Sequence, residues 1–249
     1  MSSFSFRGWS KGAASRVYVD CDGRAAGHID LVTGNLHPAP GCVEQLTAAT
    51  AVLVSRLAGR ADIPGDLALR PPGFMLTELL ERTRTPDRRD RIRSGIAGEM
   101  RTARALNGMT GVRSLHSLPL APDHDLDHVV CGGAGVVVVN TKSTVFDCTV
   151  DDTGVAYVGG HHQEWAVKAR NDADALESML RRSGVSAPVS CLVVVWAKTF
   201  TGVGRTVVPG ERLTSVLSGM GSNVSAAVVD AAYEVMRHPS FWESTARMR

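Results

Sequence analysis

The sequence predicts an α/β protein with a mixed β-sheet core flanked by helices. Three observations carry that expectation. From Ser94 onward the pattern is helix, several short apolar strands, long helix, then another apolar strand, an order that builds an α/β core. Val136–Val139 form an unbroken valine run after Gly132-Gly133-Ala134-Gly135, as expected for a strand buried on both faces. Asp22-Gly23 separates two alternating segments, a hairpin signal ahead of the core.

The elements follow in order. Arg16–Asp20 and Arg24–Leu31 are the hairpin strands, ended by Thr33-Gly34-Asn35. His37-Pro38-Ala39-Pro40-Gly41 reads as a break, and Val43–Leu57 as a helix. Ala61–Gly73 is rich in Pro and Gly and reads as irregular, Met75–Arg82 as a short helix, and Thr85-Pro86-Asp87 as another break. Ser94 caps a helix that runs to Asn107 and stops at Gly108. Strands are expected at Val112–Pro119, Leu126–Cys131, Val136–Lys142 and Val145–Val150, with a short one at Val155–Val158. A helix at Glu164–Arg182 is stopped by Gly184, and strands follow at Val189–Trp196 and Thr206–Val208. Helices at Glu211–Leu217 and Val224–Arg237 complete the chain. The expected organisation is an extension over 1–85, a domain over 90–200, and a C-terminal helical segment over 201–249 packed on it.

Composition narrows the function classes. With 44% hydrophobic and 21% charged residues, the 249-residue chain is an ordinary globular protein with a substantial core. Aromatics are only 5%, so stacking single strands on exposed rings is not an obvious strategy. The net charge of +2 is unevenly spread: eight arginines lie between Arg82 and Arg104 against Asp87, Asp90 and Glu99. Such a patch suits phosphate contact, and a solvated helix face is the plain alternative. Five cysteines at 21, 42, 131, 148 and 191 form no C-x-x-C pair, so buried thiols and a cytoplasmic setting are expected. Neither a signal-peptide core nor a membrane-spanning apolar run is present, so no membrane partner is expected.

The chemistry-bearing stretch is Asp127 to Lys142. A two-residue turn at Gly133-Ala134 places Asp127 opposite Asn140. Alternation then puts Asp127, Asn140 and Lys142 on one face and His128 on the other, with Lys142 diagonal to Asp127. Glu99 shares a helical stripe with Ile96, Ala103 and Leu106, and a carboxylate facing a core needs a partner or a cation. A helix packed on the sheet brings Glu99 toward Asp127. Carboxylate oxygens suit Mg²⁺, and a neighbouring lysine can orient a water or offset developing charge, which together suit phosphodiester hydrolysis.

Gly98-Glu99, then Asp127-His128, then an apolar hairpin ending Asn140-Thr141-Lys142, resembles the nuclease-related domain (NERD) family of the PD-(D/E)XK nuclease-like superfamily. The resemblance continues through Val158-Gly159-Gly160 and the helix with Arg170-Asn171 to Val189–Trp196, and Gly23 with Gly27–Leu31 resembles the leader of longer members. It implies a restriction-endonuclease-like core and a Mg²⁺- or Mn²⁺-dependent deoxyribonuclease. Glu99 and Asp127 would hold the metal, and Glu99, Asp127, Asn140 and Lys142 would form the catalytic set. Asn140 stands where the family has an acid, and Asp125, two residues before Asp127, is a candidate substitute. Arg91, Arg93, Arg101, Lys168 and Arg170 are the candidate nucleic-acid contacts, with DNA the expected partner.

Plainer readings stay open. Lys142 is also explicable as a strand-end lysine in solvent, Asp127 as a surface acid, Glu99 as the partner of a helical arginine, and His128 as a hydrogen-bonded core residue. Two other functions compete with the nuclease. One is a catalytically weakened nucleic-acid-binding module. The other is an interaction or assembly domain, for which a homo-oligomer is the natural partner. Zinc is disfavoured: His124 and His128 have helical spacing in a stretch that reads as strand, and no cysteine pair supports them.

Overall fold

The computed structural model describes residues 4–11, 14–30, 35–58, 66–121, 124–221 and 224–246. The expected strand end at Leu31, the turn at Thr33-Gly34 and the irregular stretch Ala61–Gly65 lie outside the described residues.

Strands β1 (Phe4–Lys11), β2 (Ala14–Cys21), β3 (Arg24–Asp30) and β4 (Leu36–Pro38) make an antiparallel sheet in that order. Asp22 and Gly23 both take positive φ (51° and 79°), the conformation a two-residue hairpin turn with the right twist requires. The expected break at His37-Pro38 is instead the short edge strand β4, where proline's missing N–H is harmless. Helix α1 (Val43–Ala58) sets Leu46 and Ala49 against Val17, Val19, Ala26 and Ile29 to form this sheet's core.

A 3₁₀ turn, Leu67–Leu69, leads into α2 (Phe74–Arg82) and α3 (Pro86–Asn107). Here the structure corrects the sequence reading. Thr85-Pro86-Asp87 is the start of α3, with proline in the first turn, and Ser94 lies mid-helix. The early turns are solvated by Asp87, Arg88, Asp90 and Arg91, so they lack the apolar stripe that makes a helix legible.

Then come β5 (Arg113–Ala121), β6 (His124–Gly132) and β7 (Gly135–Ser143). The short strands β8 (Cys148–Val150), β9 (Ala156–Val158) and β10 (His161–Gln163) follow. Helix α4 (Trp165–Arg182) precedes β11 (Val189–Trp196), β12 (Phe200–Thr201) and β13 (Val207–Pro209). Helices α5 (Leu213–Gly219), α6 (Ala226–Met236) and α7 (Pro239–Ala246) end the chain. The central sheet has the order β13-β11-β7-β6-β5, with β7, β11 and β13 parallel and β5, β6 and β7 antiparallel. The connection from β7 to parallel β11 carries both α4 and part of a smaller sheet, β10-β9-β8-β12. The strand expected at Val145–Val150 is only β8; Val145 and Phe146 stand in an exposed loop.

Both faces of the central sheet are covered. Val129, Cys131, Val136 and Val138 pack on Leu176 and Leu180 of α4, Ala232 and Met236 of α6, and Phe241 and Trp242 of α7. Val130, Val137, Val139, Leu192 and Val194 pack on Leu106 of α3 and Leu213 and Leu217 of α5. A strand buried on both faces reads as a continuous apolar run, which accounts for the valines of β7. At the far end, Arg237 forms an ion pair with Asp66 and accepts the Leu67 N–H on its carbonyl (2.9 Å). Among the described residues, the five cysteines form no disulfide. Among the described residues, no helix is long and apolar enough to cross a membrane.

Candidate active site

The β6–β7 hairpin closes at Gly132↔Gly135 around Gly133-Ala134, the turn read from the sequence, and pairs without slippage to His128↔Val139. There the ladder stops. Asp127 and Asn140, next in line, do not exchange backbone bonds; instead Asp127 Oδ2 accepts the Thr141 N–H at 2.5 Å. The ladder to β5 also passes Asp127 by, because the opposing residue, Ser117, has φ 49°. Leu126 and Val129, three positions apart, both enter the same core cluster, so β6 turns over between them. Asp125 and Asp127 flank Leu126 and so face away from that core, toward α3. The single shared face expected for Asp127, Asn140 and Lys142 is therefore interrupted, and the Asp127 carboxylate caps the opening between β6 and β7.

Helix α3 reaches this opening because three contacts hold it on β7. Gly98 permits close approach: a Cβ there would lie 2.9 Å from Ser143 Cβ and 3.3 Å from Thr141 Cγ2. Thr141 Oγ1 donates to Thr102 Oγ1 (2.9 Å), which also accepts the Trp196 indole N–H (3.0 Å). The hydroxyls of Ser94 and Ser143 are 3.1 Å apart. Glu99, 4% exposed, is thereby driven into the site, where its Oε2 accepts the Gly73 N–H at 2.9 Å. That N–H lies at the start of α2, where the helix dipole favours an anion.

The three acids act on one another. Burial, then the charges of Asp127 and Asp125, push the Glu99 carboxyl up to about 9. Burial and Asp127 push Asp125 up to about 6. Burial also raises Asp127, against the opposing pull of Lys142 and of the Thr141 N–H. Lys142 donates to the Thr141 carbonyl (3.2 Å), and its charge lowers all three acids. The structure thus brings Glu99, Asp127 and Lys142 into one electrostatic cluster and adds Asp125. Asn140 is half-buried, and its Oδ1 is enclosed with no hydrogen-bond partner.

Residues 94–196 match the nuclease-related domain family (NERD). No curated protein and no solved structure matches the chain. The NERD segment begins inside α3 and ends with β11, so it contains Glu99, Asp125, Asp127, Asn140 and Lys142.

Gly73, Arg70 and Asp172 join the site without a sequence signal, and the two histidines weighed for zinc have other roles. Gly73, in the stretch read as irregular, supplies the N–H that holds Glu99. Arg70 donates to the Ser117 carbonyl (2.7 Å), and the charge of Asp125 acts on it. His124 Nε2 lies 2.8 Å from Asp172 Oδ1, joining the start of β6 to α4, and Asp172 Oδ2 is enclosed without a partner. His128 is a fully buried core histidine with Nδ1 2.8 Å from His116 Nδ1; burial holds its pKa well below the usual histidine value.

The donor set of the NERD segment has the chemistry a hard divalent cation requires. Three carboxylates lie within electrostatic reach of one lysine, a surplus of negative charge, and the Asn140 amide oxygen is enclosed and unpartnered. As they stand, Glu99 and Asp127 are turned to backbone N–H groups, and among the described residues no three His, Cys, Asp or Glu side chains are grouped to enclose an ion. The basic residues lie on both sides of the sheet. On α3, Arg93 pairs with exposed Asp90 (2.9 Å), Arg91 donates to the Asp87 carbonyl (3.4 Å), and Arg101 lies 5.4 Å from the Trp196 ring centroid. On α4, Lys168 pairs with Glu164 (3.5 Å) and Arg170 is exposed. These five residues do not form one patch; they border the sheet from two faces.

Proposed function

We propose that this chain is a metal-dependent nuclease that hydrolyses DNA phosphodiester bonds. The observation that carries the reading is that Glu99, Asp125, Asp127 and Lys142 lie within electrostatic reach of one another inside a segment matching the nuclease-related domain family. Glu99 and Asp127 would hold Mg²⁺ or Mn²⁺, with the Asn140 amide oxygen as a neutral donor. When bound, the cation supplies a more acidic water and offsets charge on the phosphate. Lys142 orients the attacking water and stabilises developing negative charge. Asp125 adds the second negative charge near the metal that Asn140 lacks. Arg91, Arg93 and Arg101 on one side, and Lys168 and Arg170 on the other, steer and hold the phosphate backbone.

The test is cleavage of plasmid and linear DNA with Mg²⁺, Mn²⁺ or EDTA. Wild type is expected to cut only with metal, and Lys142→Ala to lose roughly a hundredfold or more of the rate, as when a single transition-state-stabilising donor is removed. Asn140→Asp is expected to cut faster at low metal concentration. Undiminished cutting by Lys142→Ala sinks the mechanism.

One observation favours a second reading, a non-catalytic nucleic-acid-binding module. Asn140 brings no charge, and Glu99 and Asp127 already have backbone partners. That module would bind DNA without metal, with affinity falling steeply in salt, and would cut in neither form.

A further inference from the structure

The loop after β7 presents an apolar pair beside the candidate site. Val145 is 74% exposed and Phe146 61% exposed, and they follow Lys142 by only the short link Ser143-Thr144. The loop is held on both sides. Thr144 N–H donates to the Trp196 carbonyl (2.9 Å), Lys198 N–H to the Phe146 carbonyl (3.3 Å), and Phe146 N–H to Thr144 Oγ1 (3.1 Å). Next in chain, Asp147 accepts the Thr199 hydroxyl (2.7 Å) and the Gly159 N–H (3.1 Å). The backbone that carries the exposed ring is therefore held on both sides.

What surrounds the ring leaves it open. It lies beside the Gly159-Gly160 turn, where both residues take positive φ (54° and 81°), and a Cβ on Gly159 would sit 3.9 Å from Phe146 Cγ. A larger side chain there would cover the ring. Exposed His161 and His162 follow the Gly159-Gly160 turn on β10, exposed Lys198 is tied to the loop through its backbone, and Lys142 precedes the loop in the chain. An uncovered aromatic ring beside cationic and polar groups, in the backbone-anchored loop that follows the strand of the candidate lysine, suits a nucleobase attached to a phosphate backbone.

We propose that Phe146, flanked by Val145, is a stacking platform for an unpaired nucleobase, which makes single-stranded or frayed DNA the preferred substrate of this site. The inference rests on the nuclease reading for the presence of a strand at the site. It also qualifies the expectation drawn from the low aromatic content: one well-placed ring suffices for one base.

The test is fluorescence anisotropy with the full chain in EDTA, so that nothing is cut. The probes are a labelled single-stranded oligothymidine, the same strand carrying abasic sites, and a blunt hairpin duplex. Wild type is expected to bind the oligothymidine more tightly than the abasic strand. Phe146→Ala should weaken oligothymidine binding roughly five- to a hundredfold, the range for losing one stacked base. It should leave the abasic and hairpin probes unchanged, and Phe146→Trp should restore the loss. The ring is exposed, so Phe146→Ala should melt at the wild-type temperature. Equal binding of all three probes by wild type overturns the proposal, as does an alanine variant that differs only in self-association on gel filtration. Base-dependent binding without any Lys142-dependent cleavage would leave the platform standing and remove the nuclease; the reverse pattern would remove the platform alone.

Discussion

At the scale of single residues, Glu99 shows how burial and proposed chemistry meet. The stripe of Ile96, Ala103 and Leu106 already marked it as a carboxylate facing the interior, and it is 4% exposed. Its partners were not legible. Gly73 and Asp125 act on it across distances in the chain that no local pattern encodes. The pH consequence follows from the direction of the shift. The folded state raises Glu99 from the usual 4.5 to about 9, so between these values it keeps a proton that the unfolded chain releases. This group's contribution to stability therefore falls as pH rises through that window. Glu99→Gln removes the penalty while keeping an oxygen for the Gly73 N–H. Its melting temperature should exceed that of wild type at about pH 8, and the difference should close toward about pH 4.5. Parallel pH profiles for the two proteins would contradict the assignment.

At the scale of elements, the decisive packing is α3 on β7. A helix normally gains about 1 kcal/mol when Gly becomes Ala. At Gly98 the opposite is expected, because the added methyl would sit 2.9 Å from Ser143 Cβ and 3.3 Å from Thr141 Cγ2. Crowding of this kind costs roughly 1–3 kcal/mol and outweighs the propensity gain. Gly98→Ala should lower the melting temperature and reduce cleavage, since the next residue, Glu99, moves with the helix. Gly133→Ala, at a turn with nothing within 4 Å, is the control and should cut as wild type does. Indifference of both stability and cleavage to Gly98→Ala would show that close approach is unnecessary. The pairing of Gly98 with Glu99 thus has a physical reason: one lets the helix in, and the other is what the helix delivers. The same helix shows why element boundaries mislead. Its strongly charged first turns carry no stripe, so periodicity points to a start at Ser94, whereas the helix begins at Pro86.

At the scale of the molecule, the distribution of charge matters more than any single ion pair. Net charge is only +2, yet α3 and α4 place cations on opposite faces of the central sheet, with the acid cluster at the end of β7. Exposed ion pairs such as Arg93–Asp90 contribute little to stability, so these arginines can be removed without unfolding the chain. Arg91→Ala with Arg93→Ala should weaken DNA binding across sequences. The double variant should also flatten the slope of log affinity against log salt, by about one for each phosphate that an arginine no longer neutralises. An unchanged slope would mean that this part of α3 faces away from the nucleic acid.

Much of this protein is written in short-range physics and can be read along the chain. The Asp22-Gly23 and Gly133-Ala134 turns, the buried valine strand, the span of β11 and the interior stripe of α3 follow from backbone preference and hydrophobic periodicity acting over a few residues. Which of these residues meet is settled by the folded chain. The β5–β6 ladder is interrupted where Ser117 takes a positive φ opposite Asp127, and β6 turns over between Leu126 and Val129, so that Asp125 and Asp127 act on Glu99. Gly73 and Asp172 enter the site from segments distant in the chain, and Phe146 is left uncovered because a glycine turn lies beside it. The physical reason is range: turns and periodicity are set by neighbours in sequence, whereas the field around a buried carboxylate is set by neighbours in space.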